Sequence, residues 1–110
     1  MDKDPKIFLQ HILESINYIE DYTKNLSKDE FFSSVQIQDS VFRRLEVIGE
    51  ATKNIPDDFK TITPHIPWRK IAGMRDKLIH EYFGIDKELV WETVQILLPK
   101  FKEEIIKLLK

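Results

Sequence analysis

The sequence has 110 residues, enough for one domain (1–110) built around one hydrophobic core. With 42% hydrophobic and 33% charged residues, three glycines and five prolines, it excludes a disordered chain and a protein of many short strands. No cysteine is present, which excludes disulfides, thiol catalysis and thiolate metal sites, and a net charge of −2 excludes a global attraction for nucleic acid.

The N-terminus, Met1-Asp2-Lys3-Asp4-Pro5, lacks the basic start and apolar run of a secretory signal. No stretch approaches the roughly 18 apolar residues of a membrane span. The expectation is a soluble, cytoplasmic protein with no membrane contact.

The first helix is expected from about Pro5 to Lys24. Asp4 suits the N-cap and Pro5 the first helical position, where a missing N–H is harmless. Phe8, Ile12, Ser15, Ile19 and Tyr22 recur at spacings of three and four and predict its buried face. Asn25 is the expected stop. Ser27-Lys28-Asp29-Glu30 is a capping box before Phe31 and Phe32, so a short helix should begin there.

Ser33-Ser34 predicts a new cap for a longer helix from about Val35 to Lys53. Val41, Leu45, Ile48 and Thr52 form its apolar stripe, widened by Phe42 and Ala51; Arg43, Glu46 and Glu50 lie off it. Pro56, Pro64 and Pro67 mark residues 54–67 as a connection, with one short turn at Asp57–Phe59. A fourth helix is expected from Trp68 to Phe83, with Ile71, Met74 and Leu78 inward and Gly84 as a left-handed stop. Asp86 caps the last helix. Leu89, Val90, Thr93, Val94, Leu97 and Leu98 supply its stripe, Pro99 should kink or interrupt it, and Ile105, Leu108 and Leu109 carry the apolar face onward. Long amphipathic helices with short connections predict an all-α fold, a four- to five-helix up-and-down antiparallel bundle.

Charge is unevenly spread. Residues 65–85 hold Arg69, Lys70, Arg75 and Lys77 against Asp76 and Glu81, whereas residues 1–34 hold seven acids against four bases. A local basic patch can draw a phosphate backbone to one face, although the same charges equally describe a solvated helix.

His11, His65 and His80 lack the spacing of a zinc-binding helix, so neither a metal site nor a cofactor is expected. Gly49, Gly73 and Gly84 are isolated and make no phosphate loop. Arg75 and His80 remain as the chemically useful pair. Arginine forks onto phosphate oxygens. Histidine, with an unperturbed pKa of about 6.5, moves protons near neutral pH. RNA carries its own 2′-hydroxyl nucleophile, so a proton carrier and a cation at the charged transition state suffice. On a continuous helix five residues span roughly 140°, an awkward offset for one face that favours a site shared by two chains.

The run Ile66-Pro67-Trp68-Arg69-Lys70-Ile71-Ala72-Gly73-Met74-Arg75-Asp76-Lys77-Leu78-Ile79-His80-Glu81-Tyr82-Phe83-Gly84-Ile85-Asp86 resembles the HepT-like toxins of the HEPN domain family, with their Arg-x4-His-x-Tyr motif after a Trp-x-x-Ile-x-Gly stretch. Val90-Trp91, Glu92 and Pro99 are similar to that family's last helix, and Phe42 to Ala51 to its central one. The likeness covers nearly the whole chain, best over 41–99. It implies a homodimeric bundle and a metal-independent endoribonuclease toxin with Arg75 and His80 catalytic at the dimer cleft and Asp76 in support. It also implies an MntA-like nucleotidyltransferase antitoxin that transfers AMP to Tyr82, adding bulk and negative charge where RNA phosphate must sit. Two other readings use the same residues: a non-catalytic nucleotide- or substrate-binding subunit of the nucleotidyltransferase, and a structural bundle whose motif only holds a dimer. Trp68 and Trp91 are expected to pack between helices or at the dimer interface, Met74 to be core, and His11 and His65 not to be ligands.

Overall fold

The structure is a computed structural model that describes residues 4–80 and 84–110, with only the backbone of His80. It is all-α apart from one pair of two-residue strands.

Helix α1 (Pro5–Thr23) begins as its sequence dictates: the Asp4 carboxylate accepts the Lys6 N–H at 2.9 Å and Pro5 opens the first turn. It ends where Asn25 takes a left-handed φ of 60°, a conformation asparagine tolerates. The buried residues are Leu9, Ile12, Ser15, Ile16 and Ile19. The expected stripe is therefore rotated: Leu9 and Ile16 join it, Phe8 is half-buried and Tyr22 is exposed. Tyr22 instead stacks on Tyr18, whose ring also lies under the Arg44 guanidinium at 5.2 Å.

Helix α2 (Lys28–Ser33) carries the full capping box. The Glu30 N–H donates to Ser27 Oγ at 3.1 Å, and the Ser27 N–H donates to Glu30 Oε1 at 2.9 Å. The backbone bond from Ser27, then its hydroxyl, hold the Glu30 carboxyl below its ordinary pKa. A carboxyl whose folded pKa is depressed contributes stability above the unfolded value and loses it as pH falls through the folded one. The thermal midpoint should therefore decline on acidification below the ordinary glutamate value. Glu30→Gln should flatten that segment of the pH profile; equal profiles for the two proteins would show that the box carries no linkage.

Helix α3 (Val35–Asn54) is the central element, capped by Ser34 through its hydroxyl and the Ile37 N–H at 3.2 Å. Val41, Leu45, Ile48 and Thr52 are all fully buried, as their spacing predicts. It runs antiparallel to α1: Phe8 and His11 line one groove with Val47, Ala51 and Asn54, while Tyr18 meets Arg44. Helix α8 (Leu98–Leu109) packs on α1's other flank, where Lys102 Nζ donates to Glu20 at 2.7 Å.

A short helix, α4 (Asp57–Thr61), replaces the single turn expected in the proline-rich connection. The larger correction follows. The helix expected from Trp68 to Phe83 is instead α5 (Trp68–Ala72), a break at Gly73, α6 (Met74–Leu78), and then strand β1 (Ile79–His80) paired antiparallel with β2 (Gly84–Ile85). Gly73 sits at φ −95°, ψ 1°, outside the helical basin, where losing backbone entropy to a helix is costliest. Ile79, β-branched, is extended and pairs with Ile85, and the Asp86 N–H closes on the Leu78 carbonyl at 2.7 Å. Gly84 does adopt positive φ (75°), but within a strand rather than as a helix stop. Ile71, Met74 and Leu78 are nevertheless buried, because each short helix keeps its own apolar side inward.

Helix α7 (Lys87–Glu92), capped by Asp86, leads into α8 through five π-helical residues, Thr93–Leu97. Pro99 explains them. Its ring collides with the carbonyl four residues back in an α-helix; widening the preceding turn, so that the Leu98 N–H reaches back to the Thr93 carbonyl, relieves the clash. Of the expected kink or interruption, the α-helix shows the second: it gives way to a π-helical turn before Pro99. Trp91 stacks on Phe31 at 5.2 Å, and Lys28 pairs with Glu88 at 2.6 Å, which together tie α2 to α7.

Candidate active site

Arg75 stands one residue into α6. Met74 and Leu78, four apart, are 4% and 1% exposed, and anchoring them in the core turns Arg75, Asp76 and Lys77 to the surface. The Arg75 Nε donates to Glu46 Oε2 at 2.9 Å, and its Nη1 lies 3.5 Å from Asp76 Oδ1. Glu46 comes from α3, off the apolar stripe, and is three-quarters covered. Its second oxygen faces Arg43 Nη1 at 3.8 Å. The hydrogen bond that Arg75 donates to Glu46 pushes the Arg75 pKa above its already high value, with the charges of Glu46 and Asp76 adding to it. Arg75 is therefore a permanently charged guanidinium, fixed along its Nε edge and still half exposed.

Gly49, one turn after Glu46, marks where α5 crosses α3. A β-carbon there would lie 3.6 Å from the Ala72 carbonyl oxygen, an ordinary van der Waals contact, so the crossing does not require glycine. The crossing delivers α6, and Arg75 with it, beside Glu46. Sequence reasoning missed Glu46 as a site residue. The usable signal was a carboxylate three residues before a buried glycine on a helix flank.

The backbone of His80 lies in β1, two residues past the end of α6, paired with Gly84. The His80 side chain and the whole of Tyr82 lie outside the described residues. The structure brings Arg75, Asp76 and Glu46 together. Because the chain leaves the helical path at Ile79, the 140° offset expected for a continuous helix does not apply, and the argument from that offset to a shared site lapses.

The remaining candidates have structural surroundings. His65 Nε2 lies 3.0 Å from Glu104 Oε2. Trp68 is buried, donates from Nε1 to Thr63 Oγ1 at 2.9 Å and meets Phe101 edge-on. Arg69, Lys70 and Lys77 are exposed, which fits a basic patch and a solvated helix face alike. Among the described residues no three His, Asp or Glu side chains gather in a metal-binding cluster, and no helix is long and apolar enough to cross a membrane.

The family described as Ribonuclease HepT-like matches residues 12–108. A Methanocaldococcus jannaschii protein named "Gamma-glutamylcyclotransferase and putative RNase" is 54% identical over all 110 residues; the chain spans half the length of that relative. A second protein of that organism, named "Putative RNase", is 49% identical over 98% of this chain and 89% of its own. "Probable ribonuclease HepT" of Thermococcus cleftensis is 46% identical over the full length of both. No solved structure matches.

Proposed function

Because this chain belongs to the HepT-like ribonuclease family, we propose that it is a metal-independent endoribonuclease, the toxin of a toxin–antitoxin pair, cutting RNA in a cleft between two copies. The observation that carries this reading is the Arg75 guanidinium, clamped by Glu46 at 2.9 Å yet half exposed, three residues after the α3–α5 crossing at Ala72 and shortly before His80.

In the proposed reaction the RNA 2′-oxygen bonds to phosphorus and the bond to the 5′-oxygen breaks. Charge on the phosphoryl oxygens grows in the transition state, where a fixed arginine fork stabilises it more than in the ground state. The 2′-hydroxyl loses a proton and the departing 5′-oxygen gains one; His80 carries one of these two transfers and water the other. Asp76, in contact with Nη1, helps set the plane of the fork. Tyr82, two residues beyond His80, is the proposed acceptor of AMP from a nucleotidyltransferase antitoxin of the MntA type; the added phosphate would repel the RNA backbone.

RNA incubated with the purified chain in chelator should be cut. Arg75→Ala and His80→Ala should each be inactive as homodimers, and mixing them should restore cleavage if a cleft draws one residue from each copy. Intact RNA with the unaltered protein would leave only the binding-subunit or structural reading. Partner enzyme and ATP should add the mass of AMP to the chain but not to Tyr82→Phe; an adduct that persists in that variant would remove Tyr82 from the scheme.

A further inference from the structure

We infer that Arg43 forms a second phosphate subsite, which takes the RNA phosphate adjacent to the one held at Arg75. The inference rests on the ribonuclease reading of Arg75 and adds a backbone-binding residue from a different helix.

The geometry turns on one carboxylate. Glu46 Oε2 accepts from Arg75 at 2.9 Å and Glu46 Oε1 faces Arg43 at 3.8 Å, so the two guanidinium groups stand on either side of a single carboxylate. The two contacts differ in kind. The bond to Arg75 is a true hydrogen bond; the contact to Arg43 is too long to be one. Arg75 also has Asp76 beside it, whereas among the described residues Arg43 faces Glu46 alone at ion-pair distance. Arg43 is therefore the less neutralised cation of the two, with its planar fork available for phosphate oxygens.

Nothing in the fold needs Arg43. Its side chain is 68% exposed, off the buried stripe, and a surface pair at i,i+3 contributes little to stability. Glu46 between the two cations offsets their mutual repulsion, and with Asp76 the four side chains sum to zero, so the exposed guanidinium of Arg43 is the least compensated charge of the cluster. A phosphate is drawn to that exposed fork rather than to the chain at large, whose overall charge is −2. Single-stranded RNA presents phosphates one after another along a flexible strand, which suits two arginines from different helices set around one carboxylate.

The test reads binding, so that it does not depend on cleavage. A single-stranded oligoribonucleotide is titrated by fluorescence anisotropy across a potassium chloride series with the full chain carrying His80→Ala. Adding Arg43→Ala should weaken binding about three- to tenfold at low salt and reduce the slope of log affinity against log salt by about 0.7, the contribution of one single-strand phosphate. Arg43→Lys should keep the slope, because the charge remains. A slope unchanged by Arg43→Ala in a protein with unchanged circular dichroism overturns the subsite, and so does the absence of RNA binding by the parent. If the chain with His80 intact cuts no RNA while the slope still shrinks, the ribonuclease reading falls and the subsite stands.

Discussion

Arg75→Ala should lower kcat for RNA cleavage by about 100- to 1000-fold, the effect of removing one preorganised donor from a developing oxyanion. The fold should be untouched, because the side chain is half exposed and the helix is held by Met74 and Leu78 instead. Arg75→Lys should recover little. A lysine keeps the charge but not the fork, and it cannot present one edge to Glu46 while the other faces phosphate. Glu46 acts through Arg75 as a positioning residue, which a graded series can reveal. Glu46→Gln keeps an acceptor for the Arg75 Nε and should retain part of kcat; Glu46→Ala should lose more, with KM changing less than kcat and the thermal midpoint nearly constant. Loss of kcat in step with loss of stability would make Glu46 structural only. Full activity in Arg75→Ala would end the assignment of the site.

Much of this arrangement was legible in the sequence, because it depends on neighbours close along the chain. Asp4, Ser27, Ser34 and Asp86 each cap the helix they precede, since a short polar side chain can reach the unpaired N–H groups only from that position. The α3 stripe was legible because four buried residues share one flank of a long helix. The failures have a different physics. In α1 the apolar residues are dense enough to draw two overlapping stripes, and only the position of α3 and α8 selects the one through Leu9 and Ile16 over the one ending at Tyr22. Between Trp68 and Phe83 the apolar spacing survives a break in the helix, so periodicity could not report it; Gly73 and the β-branched Ile79 were the local hints. Glu46 and Arg75 are 29 residues apart and meet only through the α3–α5 crossing, which no local pattern encodes. Arg75, Asp76 and His80 were picked out by residue chemistry and likeness to a family, and the structure adds the partner that holds the first of them.

The largest effect on stability should come from Trp68, which joins three parts of the chain. Its ring is 6% exposed, meets Phe101 of α8 edge-on at 6.0 Å and lies near Phe59 of α4 at 6.5 Å, and its N–H donates to Thr63 in the connection between them. Trp68→Ala should cost about 3–5 kcal/mol, for lost burial and the cavity left behind. Against the roughly 5–15 kcal/mol that holds a domain together, that is at least about a fifth of the total. Trp68→Phe separates burial from hydrogen bonding. It keeps most of the ring contact and loses the donor, and Thr63 stays satisfied because its hydroxyl also donates to the Phe59 carbonyl at 2.9 Å. The loss should then be only about 1 kcal/mol from the bond, with some further loss from the smaller ring. Urea titration checks both: the midpoint should fall in the order wild type, Phe, Ala, with the slope unchanged. A loss under about 1 kcal/mol for the alanine variant would contradict the packing described, since large-to-small changes in a closed core cost more. The same residue bears on the site. Trp68 fixes the start of α5, and α5 carries the chain across Gly49 to Arg75, so under mild conditions where Trp68→Phe stays folded its RNA cleavage should be near normal.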